Sequence, residues 1–180
     1  IDDLTICDDL LDYYKKSDRK RKGTTFIPSG EIIVDTNFKD SVDVPIYPDD
    51  HNEAFGRYIV ELQKAVDNYI DVYPECNSAS PWQITETVAV QYYPPGGGYK
   101  TYHCERCVSD YPQATRHLVW MTYLNDVTDA GETEFYFQKI KIQPKKGLTI
   151  VWPADWTHTH RGIPSQTEEK YIITGWFNFV

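Results

Sequence analysis

The chain has 180 residues, and 41% hydrophobic content with 14% aromatic residues is enough apolar surface to close one sizeable core. Its formal net charge of −9 argues against a general nucleic-acid binder, because neutralising phosphates needs a basic face. Four cysteines are too few for a disulfide framework at this length, so a reduced, cytoplasmic compartment is the expectation.

Residues 2–16 place Leu4, Cys7, Leu10, Leu11 and Tyr14 at helical spacing, with Asp2 and Asp3 at the start and Lys15 and Lys16 at the end, a polarity that complements the helix dipole. The basic cluster from Lys15 to Lys22 reads as a solvated helix end and loop. Residues 23–50 are punctuated by Pro, Asp and Ser, with one strand-like run at 31–34, and read as an extended irregular segment and candidate lid. Residues 52–73 predict the clearest helix, closed by Pro74.

After Pro81 the period changes to strands. Seven β-like runs, at 83–93, 99–105, 116–124, 134–143, 147–152, 156–160 and 169–179, are separated by turn clusters such as PPGGG and QPKKG. Two helices followed by many short strands predict a single α+β domain, mainly β, with residues 1–80 as helical support and 81–180 as a sandwich or barrel. No apolar run is long enough to span a membrane and no leader pattern is visible, while a first residue of Ile leaves room for an upstream segment.

His103 and Glu105 stand two apart in a strand-like run, where side chains leave one face roughly 6.6–6.8 Å apart. His158 and His160 share a face by the same alternation, and either could complete a site of two histidines and one carboxylate. Such a facial triad leaves coordination positions open and suits non-haem Fe(II), whereas structural zinc closes all four. Lys170 follows, a cation able to anchor the distal carboxylate of a 2-oxo acid. His51 and His117 have no partner pattern and read as structural. The CxxC at Cys104 and Cys107 has no second copy, and Cys104 reads as packing on the far face of its strand. Trp152, Trp156 and Trp176 read as core more readily than as a cofactor platform.

In order along the chain, QYYPPGGGYKTYHCE, RHLVWMTYLNDVTDAGETEF, IQPKKGLTIVW and HRGIPSQTEEKYIITGWF resemble the Fe(II)/2-oxoglutarate-dependent dioxygenases, in particular the prolyl 4-hydroxylase-like branch. These stretches run from residue 91 to 177. The resemblance implies a double-stranded β-helix, or jelly roll, with the N-terminal helices packed on its larger sheet. It implies iron ligation by His103, Glu105 and His160, with His160 favoured over His158 by the ten-residue interval to Lys170. It implies 2-oxoglutarate bound by Lys170 and Tyr93, with Tyr92 and Tyr99 as alternatives because the interval to His103 is one residue longer than the family's. Arg116 and Trp176 match positions near the substrate pocket. The implied cofactors are Fe(II), 2-oxoglutarate and O₂, with ascorbate as a reductant.

Glu105 replaces the usual aspartate, and a carboxylate at that position argues against the halogenating variant, in which a small residue makes room for chloride. A peptidyl proline is the leading substrate, with an acidic rim suited to a basic peptide; a free amino acid or small molecule is the runner-up. A non-catalytic metal-binding jelly-roll module is the alternative from another class.

Overall fold

The computed structural model describes residues 1–26, 31–47 and 49–180. Helix α1 (Thr5–Lys16) buries Ile6, Cys7, Leu10 and Tyr14, and helix α2 (Glu53–Val72) buries Tyr58, Leu62 and Val66. The side chain of Asn52 caps α2 by accepting from the Phe55 N–H, which satisfies one of the donors that every helix start leaves open. In chain order the strands are β1 (Arg21–Lys22), β2 (Thr25–Phe26), β3 (Ile32–Ile33), β4 (Lys39–Asp40), β5 (Val42–Ile46), β6 (Trp82–Gln83), β7 (Val88–Tyr93), β8 (Gly98–Tyr99), β9 (Arg116–Tyr123), β10 (Thr133–Phe135), β11 (Ile140–Ile142), β12 (Thr149–Pro153), β13 (His160–Gly162) and β14 (Lys170–Phe179).

The large antiparallel sheet runs β1-β5-β7-β14-β9-β12, with β6 also paired to β14, and a small sheet runs β11-β10-β13. Both helices pack on the large sheet, and the two sheets form a double-stranded β-helix. Strand alternation divides the interior in two. From β9, Leu118 and Trp120 join Tyr58, Leu62 and Leu10 under the helices, while Val119, Met121 and Tyr123 face Phe135, Trp152 and Tyr93 between the sheets. The Tyr58 hydroxyl fixes the helix to the sheet through Thr122, 2.7 Å away.

Several sequence expectations change, among them the run at 134–143, which is a hairpin of β10 and β11 and not one strand. Residues 23–50 are not simply irregular: β5 enters the large sheet between β1 and β7. Pro45 obscured it, and the sheet accommodates Pro45 because β1 pairs only with Val42 and Asp43. The edge beside Pro45 is therefore open, and its carbonyl accepts from the Tyr13 hydroxyl at 3.0 Å. The lid reading falls partly on residues 27–30 and 48, which lie outside the described residues.

The run at 99–105 is not a continuous strand, since β8 ends at Tyr99 and only His103 is bridged again, to His160. The run at 156–160 begins as a 3₁₀ turn, Trp156–His158, in which the His158 and Thr159 N–H groups bond back to Asp155 and Trp156. That turn breaks the alternation expected to put His158 and His160 on one face.

Gly175 on β14 lies opposite Trp120, and a Cβ there would meet the indole at 2.5 Å. Gly175→Ala is expected to cost about 1–3 kcal/mol through overpacking. Urea denaturation checks this, and an unchanged midpoint would mean that the indole moves aside freely.

Candidate metal centre

His103 and His160 form an opposed antiparallel pair through reciprocal backbone hydrogen bonds of 3.0 and 2.9 Å. Opposed side chains leave the same face of the pair, and the ring centroids are 4.4 Å apart. Glu105 arrives from a bend in which its own N–H and that of Arg106 both donate to the Ala154 carbonyl, at 3.1 and 3.0 Å. Oε1 of Glu105 lies 3.4 Å from Nε2 of His103 and 3.4 Å from Nε2 of His160. The three ligand atoms all lie within 4.8 Å of one another.

The far nitrogen of each ring is also placed. Nδ1 of His103 is 2.9 Å from the Thr101 carbonyl, and Nδ1 of His160 is 2.9 Å from the His158 carbonyl. A carbonyl only accepts, so each Nδ1 carries a proton and each Nε2 is the atom offered to the shared point. Burial, and then the neighbouring His160, pushes the His103 pKa down, so a proton on its Nε2 is weakly held. Burial would raise the Glu105 carboxyl, but a proton on Nε2 of His103 or His160, while it is present, bonds to the carboxylate, and these contacts outweigh burial and hold the group well below the usual carboxylate range. Metal ligands must be deprotonated, and this donor set gives up its protons readily. Two imidazoles and a carboxylate converging on one point fit a divalent transition metal.

The second carboxylate oxygen is held by protein. Oε2 of Glu105 accepts from the Trp176 indole N–H at 3.0 Å, and Arg116 donates to the Glu105 carbonyl at 3.1 Å. The guanidinium lies 3.7 Å from the centre of the Trp176 ring and makes a two-point contact with Glu86, at 2.8 and 2.6 Å. Trp176 and Arg116, expected near a substrate pocket, line the cavity and also brace Glu105. Glu86 carried no sequence signal, because a lone acid before a strand is ordinarily a surface group. His158 contributes its backbone carbonyl to the brace of His160, and its ring stands outside the three-residue cluster.

These groups open onto a cavity of about 500 Å³ whose walls include Met121, Trp152 and Ile172. Tyr93 and Tyr99 line it. Tyr99 stacks on His103 at 3.6 Å, and Tyr93 donates to Gln91 at 2.7 Å. Tyr92, by strand alternation, faces the other way and packs with Tyr14 and Tyr171. The lining charges are Lys39, Arg116, Arg161 and Lys170 against Asp43, Glu86 and Glu105. The acidity of the chain as a whole therefore does not extend to this cavity, which corrects the expected acidic rim.

Lys170 is only 5% exposed, and its ammonium donates to the Gly131 carbonyl at 2.8 Å. No carboxylate lies within ion-pair distance of it among the described residues. Burial pushes its pKa down to about 8, with Glu132 opposing. A buried cation with this history needs an anion, and an ammonium that spends one donor on Gly131 has two left.

A family model described as the 2OG-Fe(II) oxygenase superfamily matches residues 88–178. Prolyl 4-hydroxylase subunit alpha-1 of Rattus norvegicus is 27% identical over 107 residues, covering 52% of this chain and 20% of the relative. The human protein of that name is 26% identical over the same length. The chain thus spans about a fifth of these curated relatives. Among solved structures, a viral collagen prolyl hydroxylase from Paramecium bursaria Chlorella virus-1, in complex with 2OG, has a TM-score of 0.68 at 24% identity, covering 98% of this chain and 91% of that one. A Trichoplax adhaerens prolyl hydroxylase, in complex with a hypoxia inducible factor peptide fragment, has a TM-score of 0.71 at 21% identity, covering 98% and 78%.

The folded pKa of Lys170 lies below its ordinary value of 10.5, so between about 8 and 10.5 the unfolded chain binds more protons there. Its penalty on stability, about 3 kcal/mol, is fully present below pH 8 and fades as the pH rises to 10.5. Lys170→Met is therefore expected to stabilise the ligand-free chain at pH 7 by about 2 kcal/mol, after about 1 kcal/mol for the lost bond to Gly131. The gain should shrink towards pH 10, and denaturation curves that show no pH-dependent gain would refute the buried charge.

Proposed function

This chain belongs to the 2OG-Fe(II) oxygenase superfamily, which uses Fe(II), 2-oxoglutarate and O₂, and we propose that it hydroxylates a C–H bond of a prolyl residue in a peptide or protein. The observation that carries the reading is one cavity holding both the His103, Glu105 and His160 donor set and a buried Lys170 that has no carboxylate at ion-pair distance among the described residues. The prolyl hydroxylase relatives support the choice of substrate.

Bound at this point, Fe(II) with 2-oxoglutarate and O₂ supplies the oxidising power for hydroxylation, with succinate and CO₂ as co-products. His103 and His160 offer Nε2, and the Thr101 and His158 carbonyls fix the ring orientations. Glu105 offers Oε1 while Trp176 and Arg116 hold its other end. Lys170 would hold the distal carboxylate of 2-oxoglutarate with the donors that Gly131 leaves unused. Tyr93 lies beneath Lys170, the ammonium 5.2 Å from its ring centre, and its hydroxyl, which donates to Gln91 in the ligand-free chain, would have to exchange that partner to bond the same carboxylate. Met121, Trp152 and Ile172 form apolar walls that exclude water from the reacting centre.

Anaerobic Fe(II) with 2-oxoglutarate should give a weak visible absorption band that His103→Ala removes; a band surviving in the variant would refute the ligand assignment. Mass spectrometry over peptide and amino-acid panels should find one added oxygen on proline in a peptide, and an oxygen added only to free amino acids would overturn the substrate. Trp176→Phe keeps a ring under Arg116 but deletes the donor to Glu105, and should weaken Fe(II) binding about tenfold by calorimetry, in the range for lost outer contacts to a metal ligand.

A further inference from the structure

Trp156, read from the sequence as a core residue, is 66% exposed. It ends a row of rings on the side of the small sheet. Trp156 stands 6.0 Å from Phe137, Phe137 stands 5.1 Å from Tyr136, and Tyr136 stands 5.2 Å from Tyr102, each pair nearly perpendicular. Phe137 and Tyr136 are 52% and 46% exposed. At the inner end Arg161 lies 4.5 Å from the Tyr102 ring centre, and Arg161 also lines the cavity that contains His103 and His160. The row is continuous with the cavity wall, yet none of its four rings belongs to either apolar cluster.

Contiguous exposed aromatic side chains usually mark a contact surface. The half-exposed rings of Tyr136, Phe137 and Trp156 present apolar surface of the kind that takes the pyrrolidine rings of an extended polyproline II segment. Three spacings of 5–6 Å give a path from ring to ring on the order of 15 Å, which bounds the docked segment at about five residues of 3.1 Å each.

The charge around the strip selects further. Lys139 holds its ammonium 4.2 Å from the Tyr136 ring centre, and Lys141 and Arg161 lie alongside. The acid among them, Glu134, is engaged by Arg161 at 2.7 Å, by the Tyr102 hydroxyl at 2.9 Å and by the Lys141 ammonium at 3.7 Å, so three cations and one acid stand along the strip. On a chain of net charge −9 this strip carries an excess of cations.

We propose that the strip from Tyr102 to Trp156 docks an extended, acidic, proline-rich segment of the polypeptide substrate outside the cavity. The proposal rests on the reading that the substrate is a polypeptide. The rings take the prolines, and Lys139 and Lys141 take the flanking carboxylates.

The test uses a fluorescein-labelled peptide of six Asp-Pro-Pro repeats, a matching peptide of Lys-Pro-Pro repeats, and a capped single Asp-Pro-Pro. By anisotropy the acidic peptide should bind the wild-type chain about tenfold more tightly than either Phe137→Ala with Trp156→Ala or Lys139→Glu with Lys141→Glu, the scale of one lost anchor. It should also bind about tenfold more tightly than the basic peptide. Turnover of the capped tripeptide should be the same in all three proteins. Equal binding of the acidic peptide by wild type and both double variants overturns the proposal, as does equal binding of acidic and basic peptides. Loss of tripeptide turnover in a folded variant also overturns it, by assigning the strip to the reacting site. Self-association of the wild-type chain, abolished in the ring variant with peptide binding unchanged, assigns the strip to a second copy instead. If no proline is hydroxylated but the acidic peptide still loses affinity in both variants, docking stands and the prolyl reading falls.

Discussion

The backbone bridge between His103 and His160 is the constraint on which the site depends. Two hydrogen bonds of ordinary length join segments 57 positions apart and place both imidazoles on one face. Each ring is then turned by a carbonyl of its own segment, two residues earlier in both cases. The third donor comes by a different route, since Glu105 is located by the paired N–H bonds to Ala154 rather than by a strand ladder. Backbone contacts thus place all three donors.

Around that bridge the charges are arranged to be incomplete. Arg116 is satisfied by Glu86 and the Glu105 backbone, and Glu105 by Trp176 on one oxygen, which leaves its other oxygen facing the histidines. Lys170 is the counterpart at depth, a cation held by one neutral carbonyl. Unsatisfied groups of this kind are costly in an interior, and their clustering in one cavity indicates ligands that complete them.

Much of this was legible in the sequence. The spacing of Leu10 and Tyr14, and of Tyr58, Leu62 and Val66, encodes the helices because packing on a sheet requires an apolar stripe. His103, Glu105, His160 and Lys170 could be singled out because their residue types and order carry chemistry. The structure brings the first three together and lines the same cavity with the fourth. What was not legible depends on pairing across long separations. β5 is a strand because β7 lies beside it, and Pro45 suppresses the local pattern. The turn at Trp156–His158 is set by local backbone bonds that alternation does not anticipate. Glu86 matters because Arg116 and Asn178 arrive from 30 and 92 residues away.

Strand β9 has no solvent-facing side. Leu118 and Trp120 serve the layer under the helices, and Val119, Met121 and Tyr123 serve the layer between the sheets. A single backbone therefore forms the floor of one layer and the ceiling of the other, and Thr122, which bonds Tyr58 of α2, is the chain neighbour of Met121 in the cavity wall. The helices are in this sense part of the mould of the chamber. Stripping them away would leave Trp120 and its neighbours bare on the back of the sheet, so the shape of the reaction space and the solubility of the sheet are held by the same residues.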